Sequence, residues 1–133
     1  MGTLAKLLPG RAVLVVEDDP TVRRVIAKIL EDAGLSVVEA SDGSEAVPLL
    51  EAGGSSLIGL VVSDIVMPGF PGDQLAAKVA EQWPEVPVLL VSGFGMKAGC
   101  TGPFLAKPFT PEALLLAIEE LLKAGHRPQS VHT

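Results

Sequence analysis

Five short apolar runs punctuate the chain: Ala12–Val16, Leu35–Val38, Leu57–Val62, Val86–Val91 and Phe104–Ala106. Most are continuous in Val, Leu and Ile rather than alternating with polar residues. That is the pattern of strands covered on both faces, hence of a parallel sheet between helices. Between the runs, apolar residues recur at helical spacing. Asp19–Pro20 reads as an N-cap and first helical position, followed by Val22, Val25, Ile26, Ile29, Leu30 and Ala33, with Gly34 as the stop. Thr110–Pro111 repeats the start signal ahead of Leu114, Leu115, Ile118, Leu121 and Leu122, ending at Gly125. Leu75, Ala76, Val79 and Trp83 form a stripe between Pro71 and Pro84. Residues 42–53 also read as a helix, although Pro48 should kink it or delay its start. Strand and helix alternating in this way predict a doubly wound α/β fold, with the ligand site at the carboxyl ends of the strands.

The chain has 133 residues, enough for one domain with a real core. Residues 1–10 are expected to be an N-terminal extension, 11–124 the domain, and 125–133 a flexible C-terminal tail. Hydrophobic residues make up 48% and charged residues 20%, the composition of a soluble globular protein. A net charge of −6 argues against unaided binding to nucleic acid or to an anionic membrane. No apolar run has the length of a membrane span, and the N-terminus lacks a signal-peptide pattern. Cys100, the one cysteine, can form neither an internal disulfide nor a multi-cysteine metal site. These features suggest a cytoplasmic location.

The ends of the runs carry the chemistry. The first is followed by Glu17, Asp18 and Asp19, the third by Ser63 and Asp64, the fourth by Ser92 and Gly93, the fifth by Lys107 and Pro108. With those four strands side by side, three or four carboxylates, a hydroxyl and an ammonium would share one pocket. Carboxylates about 5 Å apart repel by on the order of 3 kcal/mol at an effective dielectric of about 20, so the cluster must share protons or bind a cation. Oxygen-only donors point to a hard ion, Mg²⁺ with Mn²⁺ as the alternative. Singly, each residue has a plainer reading: Asp18 and Asp19 as helix caps, Asp64 and Ser92 as turn residues, Lys107 as a solvated surface lysine. Their arrival at one end of one sheet weakens those readings, because burying charge there would otherwise be costly.

Four segments in order, Val13–Pro20 (VLVVEDDP), Val61–Gly69 (VVSDIVMPG), Val88–Phe94 (VLLVSGF) and Phe104–Phe109 (FLAKPF), resemble the receiver domain of two-component response regulators. The resemblance spans roughly residues 11–124. It implies a flavodoxin-like sheet of five parallel strands in the order 2-1-3-4-5. It implies that Asp64 is phosphorylated by a histidine kinase or a histidine phosphotransfer protein. Asp18 and Asp64 would ligate Mg²⁺, Glu17 would reach it through water, and Val66 would offer its backbone carbonyl. Ser92 and Lys107 would contact phosphoryl oxygens, the Lys107–Pro108 peptide would be cis, and Ser92 with Phe104 would form the conformational switch. Such a domain modifies itself slowly and is not a turnover enzyme. No organic cofactor is implied, and a monomer or weak dimer is expected.

The chain departs from that pattern between Ser92 and Lys107, which lie 15 positions apart. This interval is shorter by about two helical turns than is usual in the family. It contains Gly93, Gly95, Gly99 and Gly102, each costing about 1 kcal/mol in a helix relative to Ala. The helix between the fourth and fifth strands is therefore expected to be missing or reduced to one turn. Such shortening is similar to that of receivers at the C-terminus of hybrid histidine kinases. Arg23, Arg24 and Lys28, on the outer side of the helix after the first strand, offer either a docking face or merely a solvated one. Two other readings stand beside the receiver: a pseudo-receiver binding module that is never phosphorylated, and a Mg²⁺-dependent aspartyl phosphohydrolase. The second would normally have Asp-x-Asp on its first strand and a cap insertion, and neither is present here.

Overall fold

The computed structural model describes residues 3–93 and 103–125. Its sheet has five parallel strands, β1 (Ala12–Val16), β2 (Ser36–Ala40), β3 (Ile58–Asp64), β4 (Val88–Ser92) and β5 (Phe104–Ala106), in the order β2-β1-β3-β4-β5. The helices are α1 (Thr3–Leu7), α2 (Pro20–Asp32), α3 (Gly43–Gly53), α4 (Gly72–Gln82) and α5 (Pro111–Gly125), with a 3₁₀ turn at Gly54–Ser56. The expected α/β fold and strand order are thus observed. The expectation that the fourth helix of the pattern is missing falls on residues 94–102, outside the described residues. The 126–133 part of the expected tail also lies outside them.

The continuous apolar runs are explained by two cores, one on each face of the sheet. Val13 and Val15 of β1, Leu60 and Val62 of β3, and Leu89 and Val91 of β4 pack with Ile26 and Leu30 of α2 and Leu114, Ile118 and Leu122 of α5. The alternate residues Leu14, Val16 and Val61 turn to the other side, against Ala46 and Leu50 of α3 and Leu75 and Val79 of α4. Each fully buried Leu or Val contributes about 1.5–3 kcal/mol relative to exposure, so both faces hold the sheet. The outer strands are handled differently: β5 has only three residues, and β2 carries the partly exposed Glu39.

The N-terminal extension contains α1, whose Leu4, together with Leu8 just beyond it, is buried in the α2/α5 core. Leu8 lies across Gly59, where a Cβ would sit 2.3 Å from its Cδ2. That glycine is the extra residue in the β1–β3 pairing: Ala12 partners Ile58 but Val13 partners Leu60. The one-residue shift aligns Val16 with Ser63, and so brings Glu17 level with Asp64.

Most helix ends follow their local signals. Gly34 (φ +92°) closes α2 with a Schellman pair, its N–H donating to Glu31 O at 3.0 Å and that of Leu35 to Leu30 O at 3.0 Å. Pro48 does not delay α3, which begins at Gly43 behind an Asp42 cap. Among the described residues, no helix is long and apolar enough to cross a membrane.

Candidate functional site

Three carboxylates meet where β1 and β3 end. Oxygens of Glu17, Asp18 and Asp64 all lie within 4.8 Å of one another. Glu17 and Asp64 are buried and Asp18 is exposed. Asp19 does not join them. Its Oδ1 accepts from the N–H groups of Thr21 (2.9 Å) and Val22 (3.3 Å) and caps α2. The four acids expected at most are therefore three, because helix capping claims the fourth.

Lys107 arrives from β5. Its Nζ donates to Glu17 Oε1 at 2.9 Å and lies 3.5 Å from Asp64 Oδ2. The Lys107 N–H donates to the Ser92 carbonyl at 2.8 Å, which joins the ends of β4 and β5. The Lys107–Pro108 peptide is cis, as the resemblance implied. Burial raises the Glu17 carboxyl above its ordinary range, with the Asp64 charge adding to the effect, against the lowering by Lys107 and the Asp19 N–H. Burial pulls the Lys107 ammonium down, but the Glu17 hydrogen bond and the charges of Glu17 and Asp64 outweigh it and raise the group overall.

Ser92 ends β4 and is buried, directly beside Ala106 of β5. Phe104 opens β5 opposite Leu90 and is half-buried. Val66, two residues past Asp64, exposes its side chain. Gly72 starts α4 directly against the phosphoacceptor candidate's backbone: a Cβ there would sit 2.0 Å from the Asp64 carbonyl oxygen. The Gly72 N–H donates to Ile65 O at 2.9 Å.

The outer basic residues of α2 are not free cations. Arg23 Nε donates to Glu39 Oε1 at 3.1 Å and its Nη1 to the Glu17 carbonyl at 2.8 Å. Arg24 pairs with Glu39 and Glu31, and Lys28 with Asp32 at 3.1 Å. Arg23, Glu39 and Gly72 were not recognised as site neighbours from sequence. No local pattern marks them, since the Arg23–Glu39 pair joins α2 to β2 and Gly72 meets the Asp64 backbone only once α4 is packed against the end of β3.

The trio offers oxygen donors only, the set that suits Mg²⁺ or Mn²⁺. An acid cluster with a lysine facing it can hold a divalent ion and a phosphoryl group together.

A family model described as the response regulator receiver domain matches residues 13–119. The chain is 34% identical to the chemotaxis protein CheY of Pseudomonas aeruginosa, over 84% of this chain and 95% of that one. It is 36% identical to the C4-dicarboxylate transport transcriptional regulatory protein DctD of the same organism, over 84% of this chain but only 25% of that protein. The crystal structure of the receiver domain from the hybrid histidine kinase CckA superposes with a TM-score of 0.72 at 36% identity, covering 84% of this chain and 98% of that one.

Proposed function

Because this chain belongs to the response regulator receiver domain family of two-component signalling, we propose that Asp64 is its phosphoacceptor. The observation that carries this reading is the grouping of Glu17, Asp18 and Asp64 oxygens within 4.8 Å of one another, with the Lys107 ammonium 3.5 Å from Asp64.

In the proposed reaction an Asp64 carboxylate oxygen attacks phosphorus. The new P–O bond forms as the donor bond breaks, P–N in a phosphohistidine or P–O in acetyl phosphate. The donor leaves with the bonding pair as imidazole or acetate. Asp18 and Asp64 would hold Mg²⁺ (or Mn²⁺), with Glu17 acting through water and Val66 through its carbonyl. The bound ion supplies neutralisation of charge on the phosphoryl oxygens. Lys107 gives a second positive charge and Ser92 a hydroxyl donor to the same oxygens. Ser92 and Phe104 form the switch: as the hydroxyl moves toward the phosphoryl group, the half-buried ring takes up the vacated space. Phe104 has no hydroxyl, so its two positions would differ through burial and packing.

The domain proper is residues 11–124, flanked by the 1–10 extension and the 125–133 tail. Its donor is a histidine kinase or histidine phosphotransfer protein, in the cytoplasm, and the chain is a monomer or weak dimer without direct nucleic-acid contact. Val66 offers no polar group to position a hydrolytic water, which favours a long-lived phosphoryl group. Phe94, the other residue expected to govern hydrolysis, lies outside the described residues.

Incubation with acetyl phosphate and Mg²⁺ should add one phosphoryl group by intact-mass spectrometry, and Asp64→Asn should prevent it. No adduct, together with no NMR response to beryllium fluoride, would leave a pseudo-receiver. Multiple turnovers of a small phosphate ester would indicate a phosphohydrolase.

A further inference from the structure

Glu17 is held by its backbone as well as by its side chain. Its N–H donates to Ala40 O at 3.1 Å, its Oε2 accepts from the Asp19 N–H at 3.1 Å, and its Oε1 accepts from Lys107 at 2.9 Å. The remaining backbone group, the carbonyl, accepts from Arg23 Nη1 at 2.8 Å. That guanidinium is held in turn by Glu39, on the edge strand β2, through Nε at 3.1 Å. Arg23 and Glu39 are both partly buried, with side-chain exposures of 20% and 25%.

We propose that Arg23 is a positioning residue for the divalent-ion site: anchored by Glu39, it clamps the Glu17 carbonyl and so fixes the turn on which Glu17 and Asp18 are presented to Asp64. The proposal rests on the phosphoacceptor reading above. The physical case is geometric. Residues 17–19 leave β1 and enter α2 within three positions, so a contact on the Glu17 carbonyl bears on the direction of both adjacent acids. The planar guanidinium reaches two acceptors on different elements with separate N–H groups, which a lysine ammonium on a flexible stem does not reproduce. Arg24 shares Glu39 but not the Glu17 carbonyl, so it provides an internal control. Partners that orient metal ligands typically change affinity by about 10–100-fold when removed.

The test uses the whole chain with Arg23→Ala, Arg23→Lys, Glu39→Gln and Arg24→Ala. Mg²⁺ affinity is measured by calorimetry, and phosphorylation by acetyl phosphate as a function of Mg²⁺. Arg23→Ala should weaken Mg²⁺ binding by about tenfold, with Arg23→Lys and Glu39→Gln intermediate and Arg24→Ala within about twofold of the unmodified chain. At saturating Mg²⁺ the phosphorylation rate of Arg23→Ala should return to within about twofold, because Asp64, Ser92 and Lys107 are untouched. In EDTA, Arg23→Ala should also speed amide exchange at Asp19, the donor to Glu17. Unchanged Mg²⁺ affinity in Arg23→Ala, beside normal binding by the unmodified chain, overturns the clamp alone. So does a plateau rate that falls together with the urea midpoint, since that is a general loss of structure. An unmodified chain that binds no Mg²⁺ overturns the phosphoacceptor reading, and the clamp with it.

Discussion

The Lys107 ammonium donates to Glu17 at 2.9 Å and stands farther, 3.5 Å, from Asp64. The lysine therefore serves first as the internal counter-ion of a buried glutamate, in a site where three carboxylates crowd together. Glu17 is nearly inaccessible and its charge has little water to stabilise it. A divalent ion would relieve the same repulsion and free the ammonium for a phosphoryl oxygen.

Removing the ammonium should therefore cost stability when no ion is present. Lys107→Ala is expected to lose about 2 kcal/mol in EDTA, the scale of a charge-assisted hydrogen bond to a buried group. Adding Mg²⁺ should recover much of that loss. Urea unfolding with and without the ion provides the measurement.

The raised Glu17 carboxyl makes stability depend on pH with a definite sign. Between the ordinary carboxylate range and the raised folded value, the folded chain keeps a proton that the unfolded chain has lost. Stability from this group therefore falls as pH rises through that window, and the burial cost is complete above it. Glu17→Gln should be more stable than the unmodified chain in EDTA near neutral pH. The difference should shrink as pH falls through the raised value. Lys107 acts at the other end: its raised value gives stability that is present below the ordinary lysine range and lost as pH rises through the folded value. Urea midpoints across a pH series, compared pairwise, resolve both effects.

Gly72 should tolerate no side chain. A methyl group would sit 2.0 Å from the Asp64 carbonyl oxygen, so α4 must move away from β3. Gly72→Ala is expected to cost about 1–3 kcal/mol through overpacking. Gly93 is exposed, and among the described residues a methyl group there would meet nothing nearer than Lys107 Cβ at 4.0 Å. It should accept Ala within about 0.5 kcal/mol. Thermal and urea unfolding of the two variants make the comparison.

The N-terminal extension should matter to folding more than to chemistry. Leu8 is 3% exposed and packs in the α2/α5 core. Leu8→Ala should destabilise the chain by about 2–4 kcal/mol. It should still form the Asp64 adduct, because Leu8 sits at the opposite end of the strands from the site. Urea unfolding and intact-mass spectrometry separate the two effects.

Much of this was legible along the chain. The runs at Ala12–Val16 and Phe104–Ala106 match β1 and β5 residue for residue, and the Asp19–Pro20 start of α2 is as expected. The acids and the lysine were identifiable because strand ends are marked by an abrupt change from apolar to charged residues. The boundaries of β2, β3 and β4 moved by one to two residues, and β3 runs through Ser63 to Asp64 because pairing with β4 extends it. Residues 1–10 carried no strong periodic signal, yet Leu4 and Leu8 are buried, since their partners on α5 come from the other end of the chain.

Periodicity and capping are properties of neighbours in the chain, so they sufficed for the α/β class, for the helix ends and for the residue types gathered at the strand tips. Three-dimensional packing settled the rest. The Gly59 bulge brings Glu17 level with Asp64, and Arg23 turns inward to Glu39 and the Glu17 carbonyl. Each depends on register and on contacts between strands far apart in sequence, where a shift of one residue would point a side chain to the opposite face.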